Sequence, residues 1–205
     1  NSIYTFKKGK MLSFTSTLSP DTEAFAIFVG EKYEYKGTKD ILDNDRIIKI
    51  NSFIKTLKAK NNKENISCFD ISDKQKCFIL KVKNKYESYW PQENGGSFFS
   101  YLKKFQDIKK IDLYLDSINM EKDKIASFFS EFIFGFNLKS YKFNKYKTLN
   151  KEKINQKIDF RIITKNQEKI EKKYKYYNAI KEGVFLTRDL VSEPPNILNP
   201  KSYAQ

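Results

Sequence analysis

Lys110-Ile-Asp-Leu-Tyr-Leu-Asp-Ser-Ile-Asn-Met-Glu-Lys-Asp-Lys-Ile-Ala-Ser-Phe-Phe-Ser-Glu-Phe-Ile-Phe-Gly-Phe136 is the stretch that decides the fold. Lys110–Asp116 reads as a short β-strand. From Lys122 the pattern changes: Ile125, Phe128, Phe129, Phe132, Ile133 and Phe136 recur at helical spacing and form one broad apolar stripe. Gly135, with Asn137 just beyond, predicts that this helix ends there. A strand feeding a helix that must bury one face points to a layered α/β domain.

Working outward, the same alternation continues in both directions. Met11–Thr17 and Ala24–Val29 are β-rich runs parted by the turn signal Ser19-Pro20-Asp21. Asp43-Asn44-Asp45 supplies helix caps, and Ile47, Ile50, Ile54 and Leu57 carry a helix to Ala59. Ile66–Ile71 and Lys76–Val82 predict a hairpin around Ser72-Asp73-Lys74-Gln75. Phe98, Leu102 and Phe105 share a helical face within Tyr89–Phe105, behind Gly95-Gly96. Beyond a polar loop over Asn137–Asn155, Ile158–Thr164 is a further strand whose facing is ambiguous. A long helix then runs from about Gln167 to Ser192, with Ile170, Tyr174, Tyr177, Ile180 and Val184 along one face. Glu168→Lys172 and Glu171→Lys175 are favourable pairs on it. The expected architecture is a mixed β-sheet flanked by helices over residues 1–164, then a connector helix over 165–205.

The chain has 205 residues, room enough for a sizeable core, and is 40% apolar and 16% aromatic, which excludes a disordered chain. Its net charge is +14, yet only three of the 39 basic residues are Arg (Arg46, Arg161 and Arg188). Lysine lacks the bidentate fork that reads bases and phosphates. The excess of Lys, Asn, Ile, Phe and Tyr also follows from AT-rich codons, so the charge alone does not name a nucleic-acid partner. No apolar run approaches the ~18 residues of a membrane-spanning helix. The expected compartment is the cytoplasm, with Cys68 and Cys77 as reduced, packed thiols.

Candidate chemistry is sparse. The chain contains no histidine, which removes the commonest general base and a common metal ligand. Asp40, Asp43 and Asp45, the pair Asp70 and Asp73, and the pair Asp21 and Glu23 all fall at turns or helix starts, where carboxylates satisfy backbone N–H groups. Gly95-Gly96 is too little for a phosphate loop and better suits close packing or a helix start. Trp90-Pro91 with Tyr86 and Tyr89 suits a satellite of the core. Lys165, Lys169, Lys172, Lys173 and Lys175 form the best stripe for a polyanion, with a solvated helix face as the simpler account. No catalytic, cofactor-binding or metal-binding residue is assigned.

Two segments go further. Phe134-Gly-Phe-Asn-Leu-Lys-Ser-Tyr-Lys-Phe-Asn-Lys-Tyr-Lys-Thr148 resembles a block of the leucyl (cytosol) aminopeptidase family, and Gly183-Val-Phe-Leu-Thr-Arg-Asp-Leu-Val-Ser-Glu-Pro-Pro-Asn-Ile-Leu-Asn-Pro200 resembles its domain-junction signature. Thr187, Ser192 and Asn199 stand where that signature has Ala, Asn and Thr. The resemblance implies a macro-domain-like amino-terminal domain, joined by a long helix to a catalytic domain. That second domain would hold two divalent metals (Zn or Mn), remove amino-terminal residues from peptides and assemble as a hexamer. Its metal and catalytic motifs would lie past the junction. Pro194-Pro195 stops the connector helix and Asn199-Pro200 signals a new one, so the expectation is a chain cut as the catalytic domain begins. A basic nucleic-acid-binding module and a binder of nucleotide derivatives are the competing expectations.

Overall fold

The structure is a computed structural model and describes residues 12–146 and 158–195. Six strands form one sheet: β1 (Phe14–Thr15), β2 (Ala24–Val29), β3 (Ile66–Ser72), β4 (Gln75–Lys81), β5 (Lys110–Tyr114) and β6 (Asp159–Ile163). Their order is β1-β6-β5-β2-β4-β3. All neighbours pair in parallel except β3 and β4, which form the expected antiparallel hairpin with Ser72 opposite Gln75. The helices are α1 (Asn44–Ala59), α2 (Trp90–Leu102), α3 (Lys122–Ser140) and α4 (Gln167–Ser192).

The central strand β2 reads Ala-Phe-Ala-Ile-Phe-Val and is buried throughout, as a parallel strand covered on both faces must be. Its side chains alternate between two cores. Phe25, Ile27 and Val29 join Ile50, Ile54 and Leu57 of α1 on one face. Ala24, Ala26 and Phe28 join α2, α3 and the start of α4 on the other. Phe28 meets Phe129 and Phe132 edge-on, with ring centroids 4.6 and 5.4 Å away. Strand β6 resolves in the same way: Ile162 enters the α2–α3 core and Ile163 the α1 core.

Some element ends differ from the expected ones. Helix α3 does not stop at Gly135–Asn137 but continues to Ser140. Gly135 is no cap; a Cβ there would lie 1.9 Å from the Gln92 carbonyl oxygen of α2. Gly95 is its counterpart, since a Cβ there would lie 1.9 Å from the carbonyl oxygen of Phe132. The two helices thus cross backbone to backbone, so of the two readings of Gly95-Gly96 close packing holds and a helix start does not, Gly95 lying inside α2. Strand β5 ends at Tyr114, followed by a 3-10 turn over Leu115–Ser117. Buried Ser117 holds that turn: its hydroxyl donates to the Tyr114 carbonyl at 2.6 Å and accepts from the Phe28 N–H at 2.8 Å. Strand β1 is shorter than expected, and Met11 lies outside the described residues, as do 147–155 of the polar loop and the Asn199-Pro200 helix start.

Candidate functional site

Helix α4 brings together the two sequence blocks that carried the resemblance. Its first half docks on α3 through Ile170 and Tyr174, both fully buried; the Tyr174 hydroxyl accepts from Asn137 Nδ2 at 2.7 Å. Its second half is clamped by the chain leaving α3. Arg188 Nη1 donates to the Leu138 carbonyl at 3.0 Å, satisfying an acceptor left open near the end of α3. Its guanidinium lies 5.4 Å from the centroid of the Tyr141 ring. The Tyr141 hydroxyl donates to Asp189 Oδ1 at 2.7 Å, and its ring packs on Phe185 at 5.1 Å. Lys145 Nζ bonds Glu193 Oε1 at 2.6 Å, and the Tyr146 hydroxyl donates to the other oxygen of that carboxylate. Burial, then the Asp189 carboxylate, pushes the Tyr141 phenol up to about 12. Both partners of each contact are spent on holding α4; Tyr141, Arg188 and Asp189 form a structural clamp rather than an acid–base set.

The other sequence candidates stay apart. Asp43 caps α1, accepting from the Arg46 N–H at 2.8 Å. Asp70 pairs with Lys76, Glu23 accepts from the Lys110 N–H at 2.9 Å, and Asp73 sits in the hairpin turn. Cys68 and Cys77 are free thiols on opposite faces of the sheet, packed in the α2–α3 core and the α1 core respectively. Burial pushes the Cys77 thiol well up, which removes thiolate character. Trp90 stacks on Tyr86 and leans on Phe128. Of the lysine stripe, Lys169 pairs with Asp123 at 2.7 Å and Lys173 donates to Ser127 at 2.5 Å, so both are tied to the first turns of α3. Among the described residues no group of three or more His, Cys, Asp or Glu could hold a metal ion.

Two features escaped the sequence reading. Asp112 and Arg161 form an ion pair between neighbouring strands, with Arg161 Nε and Nη2 at 2.8 and 3.0 Å from the two carboxylate oxygens. Asp112 is fully buried and also accepts from the Ser19 N–H and the Thr22 hydroxyl. Gln75 links Thr22 onward to Arg46, so one polar brace crosses the amino-terminal edge of the sheet. At the opposite edge a cavity of about 510 Å³ opens beside Gly30, Lys83, Tyr86, Asn119 and Lys124. It lies where the chain leaves β2 and β5 in opposite directions, the usual ligand crevice of such sheets. Glu34 accepts from the Lys32 N–H at 3.0 Å and lies against Gly30, Glu121 pairs with Lys124 at 3.5 Å, and Lys83 lies 5.5 Å from the centroid of the Trp90 ring.

No family model matches the chain. A "Probable cytosol aminopeptidase" of Phytoplasma mali is 30% identical over 197 residues, which are 92% of this chain and 38% of that protein. A protein of the same description from Agrobacterium fabrum is 37% identical over 114 residues, covering 54% of this chain and 22% of its own length. The chain is a relative of the cytosol aminopeptidases. Among solved structures, a tomato leucine aminopeptidase mutant matches the fold with a TM-score of 0.68 at 16% identity, over 94% of this chain and 40% of the plant chain. A bottromycin maturation enzyme matches with a TM-score of 0.56 at 11% identity, over 89% of this chain. The chain therefore spans well under half the length of the aminopeptidases it resembles. The expected mixed sheet with flanking helices and a long final helix is the observed fold. No helix among the described residues is long and apolar enough to cross a membrane.

Proposed function

We propose that this chain is the amino-terminal, non-catalytic domain of a leucyl aminopeptidase-like metallopeptidase, with residues 1–164 as the domain proper and 165–205 as connector and start of the catalytic part. The observation that carries the reading is the mismatch in coverage: similarity extends over 92% of this chain but only 38% of the aminopeptidase relative. The clamp of α4 by Tyr141, Arg188 and Asp189 supports it, because a connector that positions a second domain needs a fixed direction. The full-length protein would release amino-terminal residues from peptides in the cytoplasm, as a hexamer, with two divalent metals (Zn or Mn). The described part of this chain offers those metals no fitting donor set, so the reading assigns their ligands to the catalytic domain. A nucleic-acid role rests on the +14 charge and the lysine stripe of Lys165, Lys169, Lys172, Lys173 and Lys175, of which Lys169 and Lys173 are tied to α3.

The test is direct. Purified residues 1–205, supplied with Mn or Zn, release no product from an aminoacyl-anilide, whereas the full-length polypeptide does. Metal-dependent hydrolysis by the 205-residue chain, or none by the full-length polypeptide, would overturn the reading.

A further inference from the structure

Helix α4 has two apolar faces, and only one is used. Ile170, Tyr174, Tyr177 and Phe185 face α3 and its trailing segment. On a second side Tyr176, Ile180, Gly183, Thr187 and Val191 recur at intervals of three or four and make one stripe. It is open to solvent: Tyr176 is 67% exposed, Ile180 37% and Val191 77%. The charged residues of this part, Lys181, Glu182, Arg188 and Asp189, all lie off the stripe. A helix with a second, charge-free apolar stripe beside its docked face has the pattern of one buried on two sides.

Gly183 adds a second observation. A glycine inside a helix costs about 1 kcal/mol relative to alanine, so its presence needs a reason. Gly95 and Gly135 have one, because another helix backbone occupies the space a Cβ would take, and Gly96 lies at the same crossing. A Cβ added at Gly183 would meet no other element within 4 Å. The stripe leaves room there for a closely approaching backbone that the described residues do not supply.

We infer that the Tyr176–Val191 stripe is the seat of the catalytic domain, with an uncharged helix or strand of that domain crossing at Gly183. This rests on the reading under Proposed function. The Phytoplasma mali relative supplies the occupant: it matches 92% of this chain, and that match takes up only 38% of its own length. A second copy of this chain is the alternative that the test must separate.

The experiment compares Gly183→Leu and Ile180→Asp in the 205-residue chain and in the full-length polypeptide, reading thermal midpoint and aminoacyl-anilide hydrolysis. In the 205-residue chain Gly183→Leu raises the midpoint, since leucine is the better helix former and the space is open, and Ile180→Asp leaves it nearly unchanged. In the full-length polypeptide both lower it by several degrees. Equal effects in the two contexts overturn the inference while wild-type hydrolysis leaves the family reading standing. Absence of hydrolysis in the wild-type full-length polypeptide overturns the family reading, and the inference with it. Light scattering provides the last arm: dimers of the 205-residue chain that Gly183→Leu abolishes would assign the stripe to a second copy and overturn the proposal.

Discussion

Asp112 lies in the interior with no exposed surface, and Arg161 reaches it with two parallel hydrogen bonds. Breaking a buried ion pair from one side costs about 3–5 kcal/mol, because the remaining charge loses its counter-ion but not its burial. Arg161 is a third exposed, so Asp112→Ala is expected near the lower end of that range, about 3 kcal/mol, as a fall in the urea midpoint. Glycine substitutions test the same logic with opposite signs. Gly135→Ala forces a methyl into the Gln92 carbonyl and should destabilise by about 1–3 kcal/mol. Gly183→Ala in the isolated chain should instead stabilise, by up to about 1 kcal/mol. Asp43 was legible as a cap because the groups it serves are three residues away. Asp112 and Arg161 were not, because 49 residues separate them and only the parallel pairing of β5 with β6 makes them neighbours.

Helix α4 shows how far periodicity reaches. Its bounds, Gln167–Ser192, match the sequence reading, since a cap region, a periodic run and two prolines are local signals. The predicted single face did not survive intact: Ile170 and Tyr174 are buried, whereas Ile180 is exposed. A helix of 26 residues is roughly 39 Å long, longer than the α3 surface beneath it, so its two halves meet different surroundings. Of the lysine stripe along this helix, Lys169 and Lys173 bond Asp123 and Ser127 of α3, contacts between elements that no spacing within the helix could show. The clamp on the second half can be tested apart from the first. Tyr141→Phe removes the hydrogen bond to Asp189 and should cost about 1 kcal/mol. Amide hydrogen exchange should then quicken over the last turns of α4 while β2 and α3 keep their protection. A uniform change across the whole chain would contradict a local clamp.

Three tyrosines at the α3–α4 contact couple the stability of the whole molecule to alkaline pH. Burial pushes Tyr174 up to about 12, and Tyr177 and Tyr141 reach about 12 with the further influence of Glu131 and Asp189. An unfolded chain releases these protons near pH 10. Below about pH 10 the phenols are neutral in both states and their full contribution is present. Between about 10 and 12 the unfolded state deprotonates first, so stability falls as pH rises. Urea midpoints taken across that window should decline together with tyrosinate absorbance, and Tyr174→Phe should flatten the decline. The amino-acid sequence by itself determined the alternation of strands and helices, the β3–β4 hairpin, the capped start of α1 and the kinship with aminopeptidases, because each is written in neighbouring residues or short motifs. The tertiary structure alone decided that Gly95 and Gly135 are a helix crossing, that Asp112 meets Arg161, and that the second face of α4 is left open. Those outcomes depend on which surfaces a particular strand order brings together, and no local spacing carries that information.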